Sequence, residues 1–456
     1  MTKYDAILVG SGIGSLSTGL LLQKAGKKVL ILEKKDVVGG RLASYKKDGF
    51  TLDIGVHLIS RSNKGPLGQL HERAGIESKI EWKKVRPLTS FNGEIFKYPH
   101  DLEHMIPAED FAGVMRFMGD IMTRTPEEVD SFNNVSTKEL LNNYTTNDLA
   151  HACVSSITMI YVTVPSWECS AGEFMRCVRY EAAARASGYP TGGCGAISGE
   201  ISDAFRELGG ELLLNTPVEK IVIENNKAVG VVANGKLYES DVIISNADIK
   251  DTVKDLVGEQ YFDGDYVERV KNLDYSWSAY LLRAALDEHI TDLLMLSQIG
   301  DSDQQRYYDR IRKGDVPEDL NIFLIACSNF DESVAPEGKQ LINFGAPLPL
   351  GLPPETLEKI PELMLKSVEK YIPNIREHLV FLDHATPDWF TGAVGKGGSV
   401  IGIGQTVGQV GSDRPQVKTS IEGLYLVGGT AGGEGVGIEL CINSAFELVD
   451  NYLLAK

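Results

Sequence analysis

The run Gly10-Ser11-Gly12-Ile13-Gly14-Ser15 stands between a short apolar stretch, Tyr4 to Val9, and a leucine-bearing stretch, Leu16 to Lys24. A second apolar stretch, Lys28 to Leu32, leads directly into Glu33. Those residue types at that spacing suit recognition of a dinucleotide. Gly10 permits a sharp turn out of a strand, and Gly12 removes a Cβ so that backbone can approach a pyrophosphate. A helix starting there aims free N–H groups and the positive end of its dipole at phosphate. Glu33 can accept ribose hydroxyls and repels a 2′-phosphate, which disfavours NADP. Ser15 occupies the third glycine position of the pattern and is small enough for close packing of helix on strand. Farther on, Gly39-Gly40-Arg41 joins permissive backbone to a forked cation suited to phosphate. The same three residues also suit a turn carrying a surface Arg.

Two ionisable side chains are candidates for proton transfer. His57 ends the run Gly49-Phe50-Thr51-Leu52-Asp53-Ile54-Gly55-Val56-His57. A His there can act as acid or base near neutral pH, or it can be buried, holding a backbone carbonyl. Glu439 stands one turn into a C-terminal helix, where the dipole keeps a carboxylate ionised. It either faces a site or serves the electrostatics of the helix end. Tyr161 and Trp389 are candidate pocket aromatics. No nucleophile triad, phosphate-binding P-loop or metal-spaced cluster stands out, and the six cysteines form no CxxC.

The elements that must position these groups follow from pattern. Residues 4–9, 16–24 and 28–32 read as strand, helix and strand, with Leu16, Leu20 and Leu21 on one helix face and Gly26 ending it. At the other end, Leu424 to Val427 reads as a strand turned by Gly428-Gly429. A Gly-rich loop, Ala431 to Gly437, then leads into a helix from Ile438 to Leu454. Between these ends, residues 108–122, 148–159 and 354–371 read as helices, and 277–285 and 320–328 as strands. Asn225-Asn226 and Asn234-Gly235 read as hairpin turns. Met115, Met118 and Met122 lie at helical spacing, as an adaptable wall for an apolar ligand or as ordinary core.

The chain has 456 residues and a formal charge of −18. That acidity argues against nucleic acid as a partner. It sits awkwardly with a bilayer-dissolved ligand, although a local patch leaves room for peripheral membrane contact. No stretch is long and apolar enough to suggest a transmembrane segment, and no targeting segment is expected ahead of the first strand. Cysteine usage suggests a reducing compartment, so the expected location is cytoplasmic. The sequence does not fix the oligomeric state.

Longer blocks carry a resemblance. They are Val38-Gly39-Gly40-Arg41-Leu42, Tyr189-Pro190-Thr191-Gly192-Gly193-Cys194-Gly195-Ala196-Ile197, Glu211 to Val218 and Asp241-Val242-Ile243-Ile244-Ser245-Asn246-Ala247-Asp248. Gly397-Gly398-Ser399 through Gln405, then Arg414-Pro415, Thr419 and Gly423 to Thr430, continue the series. With the glycine run and Glu33, these resemble the FAD-dependent flavin amine oxidase and phytoene desaturase superfamily. The branch most resembled is that of carotenoid desaturases, carotenoid isomerases and retinol saturases.

The resemblance implies an α/β fold: a discontinuous FAD-binding Rossmann-type (glutathione reductase-like) domain with an inserted α+β substrate domain. The FAD domain would take residues 1–75, 185–255 and 395–456, and the substrate or lid domain 76–184 and 256–394. The implied cofactor is FAD. It would be held by Gly10, Ser11, Gly12, Ile13, Gly14, Ser15, Glu33, Lys34, Gly40, Arg41 and Gly55, by His57, and by the Val218 backbone at the adenine. Gly428, Gly429, Gly437 and Ile438 would complete its site, with the last helix facing the pyrimidine edge of the ring, where reduction places negative charge. Gly429 stands where the family usually has an acidic residue. The turn Asp53-Ile54-Gly55 approaches the ring in the family, which adds a flavin contact to the readings of His57. The implied reaction is hydride transfer at carbon, desaturating or saturating a C=C bond of an apolar, isoprenoid or polyene small molecule. Alternatives are a flavin amine oxidase, a flavin-dependent isomerase, and a non-enzymatic prenyl-protein escort of the guanine-nucleotide dissociation inhibitor type. The intact Gly10, Gly12, Glu33 and Arg41 stand against the escort.

Overall fold

The computed structural model describes residues 3–55, 57–84 and 87–455; Val56, quoted above, lies outside them. Five strands form a parallel sheet in the order Leu424–Leu426, Ile243–Ser245, Ala6–Val9, Val29–Leu32 and Glu211–Leu213. The two strands nearest the N-terminus are apolar throughout and wholly buried, as expected of parallel strands covered on both faces. Between them runs the helix Ile13–Lys24, which starts directly after Gly12. Its residues are buried without a break from Ile13 to Leu22. That differs from a single leucine face, because the helix is sandwiched between the sheet and two other helices, Gly195–Glu207 and Ile438–Leu448.

A three-stranded antiparallel sheet, Val218–Glu224, Lys227–Ala233 and Lys236–Glu239, lies in sequence between the parallel strands Glu211–Leu213 and Ile243–Ser245. Its two turns hold positive φ at both central residues: Asn225 at 48° and Asn226 at 61°, then Asn234 at 49° and Gly235 at 68°. Two-residue turns of that kind match the right-handed twist of the strands, which is why Asn and Gly occupy them.

The second large sheet has seven strands. Their order is Leu379–Ala385, Ser278–Leu286, Gln340–Leu348, Ile322–Ile325, Met295–Ile299, Leu88–Phe91 and Glu94–Phe96. One face carries Leu282, Ile342, Phe344 and Leu324, packed in one apolar core with Met364 and Val368 of the helix Ile360–Glu369. Cross-strand register puts Arg283 beside Asn343, and Leu281, Gly345, Phe323 and Ser297 in one row, on the opposite face.

Several elements depart from the periodicity. The stretch 320–328 is a strand only over Ile322–Ile325, after which Cys327–Phe330 turns helical. There Ser328 Oγ accepts from Leu341 N, and the Asn329 amide donates to Thr291 and Leu293 carbonyls, so side chains compete with the ladder. The stretch 354–371 divides into Pro354–Leu357 and Ile360–Glu369, because Pro361 has no N–H to continue the first helix. The last helix is α-helical over Ile438–Leu448 and passes into a π turn, Val449–Leu453. In the helix Ala108–Thr123 the core face belongs to Val114, Phe117 and Ile121, while Met115 and Met122 are exposed. All six cysteines are buried and unpaired. Among the described residues no helix is long and apolar enough to cross a membrane, and no cluster could hold a metal ion.

Candidate functional site

A cleft of about 580 Å³ runs from the glycine turn to the seven-stranded sheet. At its first end the strand Ala6–Val9 leaves the sheet through Gly10, at φ +86°, a left-handed conformation that costs a glycine little. The helix then begins against the strand end at Gly428. A Cβ on Gly14 would lie 2.8 Å from Gly428 Cα, so only a glycine allows this approach. Asn246 ties the same place together: its amide donates to Val427 O at 2.9 Å and accepts from Gly12 N at 3.1 Å. Ser15 is buried just behind, its hydroxyl without a partner.

Glu33 is buried at the cleft wall. Its Oε2 accepts from Ser11 N and from Ser11 Oγ, each at 2.7 Å, and its Oε1 accepts from Lys35 N at 2.9 Å. Three of roughly four lone-pair sites are thus spent, which fixes the carboxylate and leaves Oε1 the freer oxygen. Arg41 enters the cleft from the next turn and donates from Nη1 to Val400 O at 2.6 Å. Burial lowers its pKa from the ordinary arginine value, and no carboxylate pairs with it among the described residues. A recessed cation that feels the Asp248 charge but has no carboxylate at ion-pair distance among the described residues, beside a turn where a Cβ would clash, fits a bound pyrophosphate. Gly429 is pressed against the same group. A Cβ there would meet Ile401 O at 2.6 Å and Arg41 Nη2 at 3.1 Å, so this backbone has no room for an acidic side chain.

Midway along the cleft lies the turn after Asp53. Arg283, fully buried, donates from Nε to Asp53 O and from Nη2 to Ile54 O, both at 2.7 Å. Its Nη1 donates to Asp383 at 2.8 Å, and Asp383 also accepts from Tyr45 OH at 2.6 Å and Lys47 at 3.1 Å. The Asp53 side chain faces the other way. It accepts from Ser44 Oγ, Tyr189 OH and Cys194 N at 2.6, 2.7 and 2.8 Å, and burial raises its pKa against those bonds. Beyond the turn, His57 lines the cleft with Asn343 Nδ2 at 3.4 Å from its Nδ1. Burial, helped by the Arg283 charge, pushes the imidazole down to about 3. His57 is therefore neutral at pH 7, able to accept or donate a hydrogen bond but carrying no labile charge.

The Gly-rich loop before the last helix is held by charged groups underneath it. Arg414 donates to Gly432 O at 2.7 Å and Gly429 O at 3.0 Å, and Glu173 accepts from Gly435 N at 2.9 Å and Gln405 Nε2 at 2.6 Å. Glu439 belongs to this support. It is buried, accepts from Arg61 Nε at 2.5 Å and from Val436 N at 3.3 Å, and does not line the cleft. Burial raises its pKa, opposed by Arg61.

Of the residues expected at the cofactor, all line the cleft except Ser15 and Gly428, which pack behind it. Tyr161 lines it and Trp389 does not; Trp389 instead lies 5.3 Å from the Arg283 guanidinium. Asn246, Arg283, Asn343 and Arg414 received no role from the sequence. Asn246 and Arg414 lay within quoted blocks, whereas nothing local marks Arg283 or Asn343. The far end of the cleft is mainly apolar. Ala279, Leu281, Phe323, Gly345 and Pro347 of the large sheet form one side, and Met159, Ile160 and Tyr161 of the helix Asp148–Val162 the other.

A family model described as flavin containing amine oxidoreductase matches residues 16–450. Among curated proteins, a lycopene-forming phytoene desaturase from Pantoea ananas is 26% identical, over 94% of this chain and 95% of its own. Among solved structures, an oxidoreductase from Methanosarcina mazei superposes with a TM-score of 0.77 at 20% identity, covering 97% of this chain and 99% of that one. Wild-type putrescine oxidase bound to putrescine gives 0.70 at 16% identity, covering 97% of both. At such identities the structural likenesses establish the fold.

Proposed function

The chain belongs to the flavin containing amine oxidoreductase family and is an FAD-dependent oxidoreductase, and from that premise we propose that it desaturates or saturates a C=C bond of an apolar, isoprenoid-like substrate. We place it with the carotenoid desaturase, carotenoid isomerase and retinol saturase branch. The cofactor unit is drawn from residues 1–75, 185–255 and 395–456, and the substrate unit from 76–184 and 256–394. The Gly10–Gly14 turn and Arg41 would hold the pyrophosphate, Glu33 the ribose and Val218 the adenine side. When bound, FAD supplies the two-electron hydride acceptor or donor.

The single observation that carries this reading is the charge pattern of the cleft. Its lining carboxylates are Glu33, Asp248, Asp251 and Asp255, and none belongs to the substrate end among the described residues. Asp251 feels the charge of Lys34, the neighbour of Glu33, which puts it with the glycine turn. The groups nearest the middle of the cleft are instead a buried arginine and a neutral histidine. A substrate ammonium would enter without a counter-charge, at a cost of several kcal/mol, on the order of that for any buried unpaired ion. An uncharged carbon chain meets no such penalty. The apolar walls align it and exclude water, and the neutral His57 adds no charge along its path.

The test is anaerobic mixing of the oxidised holoenzyme with phytoene, with retinol or with putrescine, while following the flavin's visible band. Bleaching by a polyene, or reoxidation of the photoreduced enzyme by it, is expected. Bleaching by putrescine alone overturns the proposal in favour of amine oxidation. Conversion of a polyene with no bleaching and no oxygen uptake marks isomerisation instead.

A further inference from the structure

Asn343 is wholly buried, and cross-strand register sets it in one row with Arg283 and Asp383, the arginine in the middle. Its Nδ2 lies 3.4 Å from His57 Nδ1, and its Oδ1 has no hydrogen-bond partner among the described residues. A side-chain amide fits its place in either sense, so the charges around it decide. The carbonyl belongs beside the Arg283 cation. Reversed, the amide would turn its N–H bonds toward a guanidinium in a buried setting, where such repulsion is poorly screened. With the carbonyl so placed, the amide N–H faces His57, and Nδ1 accepts it.

Arg283 acts on the imidazole in the same sense. Its charge reaches His57 and disfavours the imidazolium. Between the two neutral tautomers it favours the one whose bare nitrogen is turned to the Arg283–Asn343 row, and that nitrogen is Nδ1. The proton then sits on Nε2. Nε2 makes no hydrogen bond among the described residues, and His57 lines the cleft whereas Asn343 does not. Gly55, two residues before His57, packs on Arg41: a Cβ there would lie 3.6 Å from Arg41 O. The cofactor's ring follows its pyrophosphate along the cleft, so beyond Arg41 it meets the stretch that His57 lines. We propose that Asn343 is a positioning residue that holds His57 as the Nε2–H tautomer, and that this N–H donates to an acceptor on the ring of bound FAD that gains negative charge on reduction. His57 is then a neutral electrophile and not a base. The inference goes beyond the substrate reading and does not depend on it, since the cofactor alone completes the contact.

The test uses the FAD holoenzyme without substrate, labelled with nitrogen-15 in its histidines, the His57 signals being assigned by their loss in His57→Phe. Nitrogen chemical shifts at pH 7 are expected to show Nδ1 bare and Nε2 protonated. Asn343→Asp sets an acceptor carboxylate against Nδ1 and should draw the proton there. The flavin's reduction potential, measured by equilibration with a reference dye, should fall in His57→Phe by about 30 mV, a tenfold change in a two-electron equilibrium and the worth of about one net hydrogen bond. His57→Gln, whose amide can still donate, should recover most of that shift. A proton on Nδ1 in the unaltered protein, a tautomer that Asn343→Asp leaves unmoved, or a potential that is the same with Phe as with His overturns the proposal. Because no substrate is present, failure of the substrate reading leaves these results untouched.

Discussion

Replacing Arg283 by Met keeps the side chain's bulk and removes its charge and its fork. Three bonds are lost: those to the Asp53 and Ile54 carbonyls at 2.7 Å and that to Asp383 at 2.8 Å. Breaking a buried ion pair costs about 3–5 kcal/mol when the partner is stranded. Asp383 is not wholly stranded, since Tyr45 and Lys47 stay on it and it is 17% exposed. The two carbonyls lose charge-assisted donors, which adds a cost of similar order to any single buried hydrogen bond. The expected loss is therefore about 3 kcal/mol, read by urea unfolding at a fixed excess of FAD. A local signature accompanies it. The Arg283 charge helps hold down the His57 pKa, so its removal should move the imidazole's NMR titration upward. Arg283→Lys should lie between, because a lysine restores charge but cannot hold two carbonyls and a carboxylate in one plane. A stability loss below about 1 kcal/mol together with an unmoved His57 would falsify the view that Arg283 clamps this turn.

Arg41→Met should weaken FAD retention by about 10- to 100-fold, the loss of one charge-assisted phosphate contact; unchanged affinity in equilibrium dialysis refutes the pyrophosphate assignment. Ser15→Ala removes a buried hydroxyl that has no partner. It should be neutral or stabilising by up to about 1 kcal/mol in the same urea assay, and a clear loss would show that the hydroxyl is bonded after all. His57 has a folded pKa of about 3 against an ordinary 6.5. Between those values the unfolded chain binds a proton that the folded chain refuses, so stability present above pH 6.5 falls as the pH drops toward 3. His57→Gln should shift the midpoint of acid unfolding, followed by circular dichroism, to lower pH; a shift the other way refutes the burial argument.

What could be read in the sequence was local. The glycine turn, the strand and helix around it, and Glu33 lie within a few dozen residues. Their chemistry depends on spacing that a turn and two strands enforce. The Asn-containing hairpins were legible for the same reason, since a positive φ is a demand on one or two residues. Arg283 was not legible, because the carbonyls it holds lie more than two hundred positions away and backbone carbonyls leave no residue-type signature. Glu439 shows the opposite limit. Its position on the last helix was read well, but its partner Arg61 comes from the far end of the chain, and that pairing turns it from the cleft into support. The buried helix Ile13–Lys24 misleads any single-face reading, since a helix covered on all sides loses its amphipathic pattern.

The contact of Gly14 with Gly428, braced by Asn246, joins segments made at opposite ends of synthesis. A ribosome releases the glycine turn early and the strand Leu424–Leu426 only after the whole seven-stranded sheet has emerged. Until then the cradle lacks one wall, and the first helix has no Ile438–Leu448 to cover it. Cofactor capture is thus a late event in the life of each chain, and the exposed N-terminal half is the form most open to chaperones and proteases. Raising the intracellular supply of FAD should rescue folding only for chains already complete.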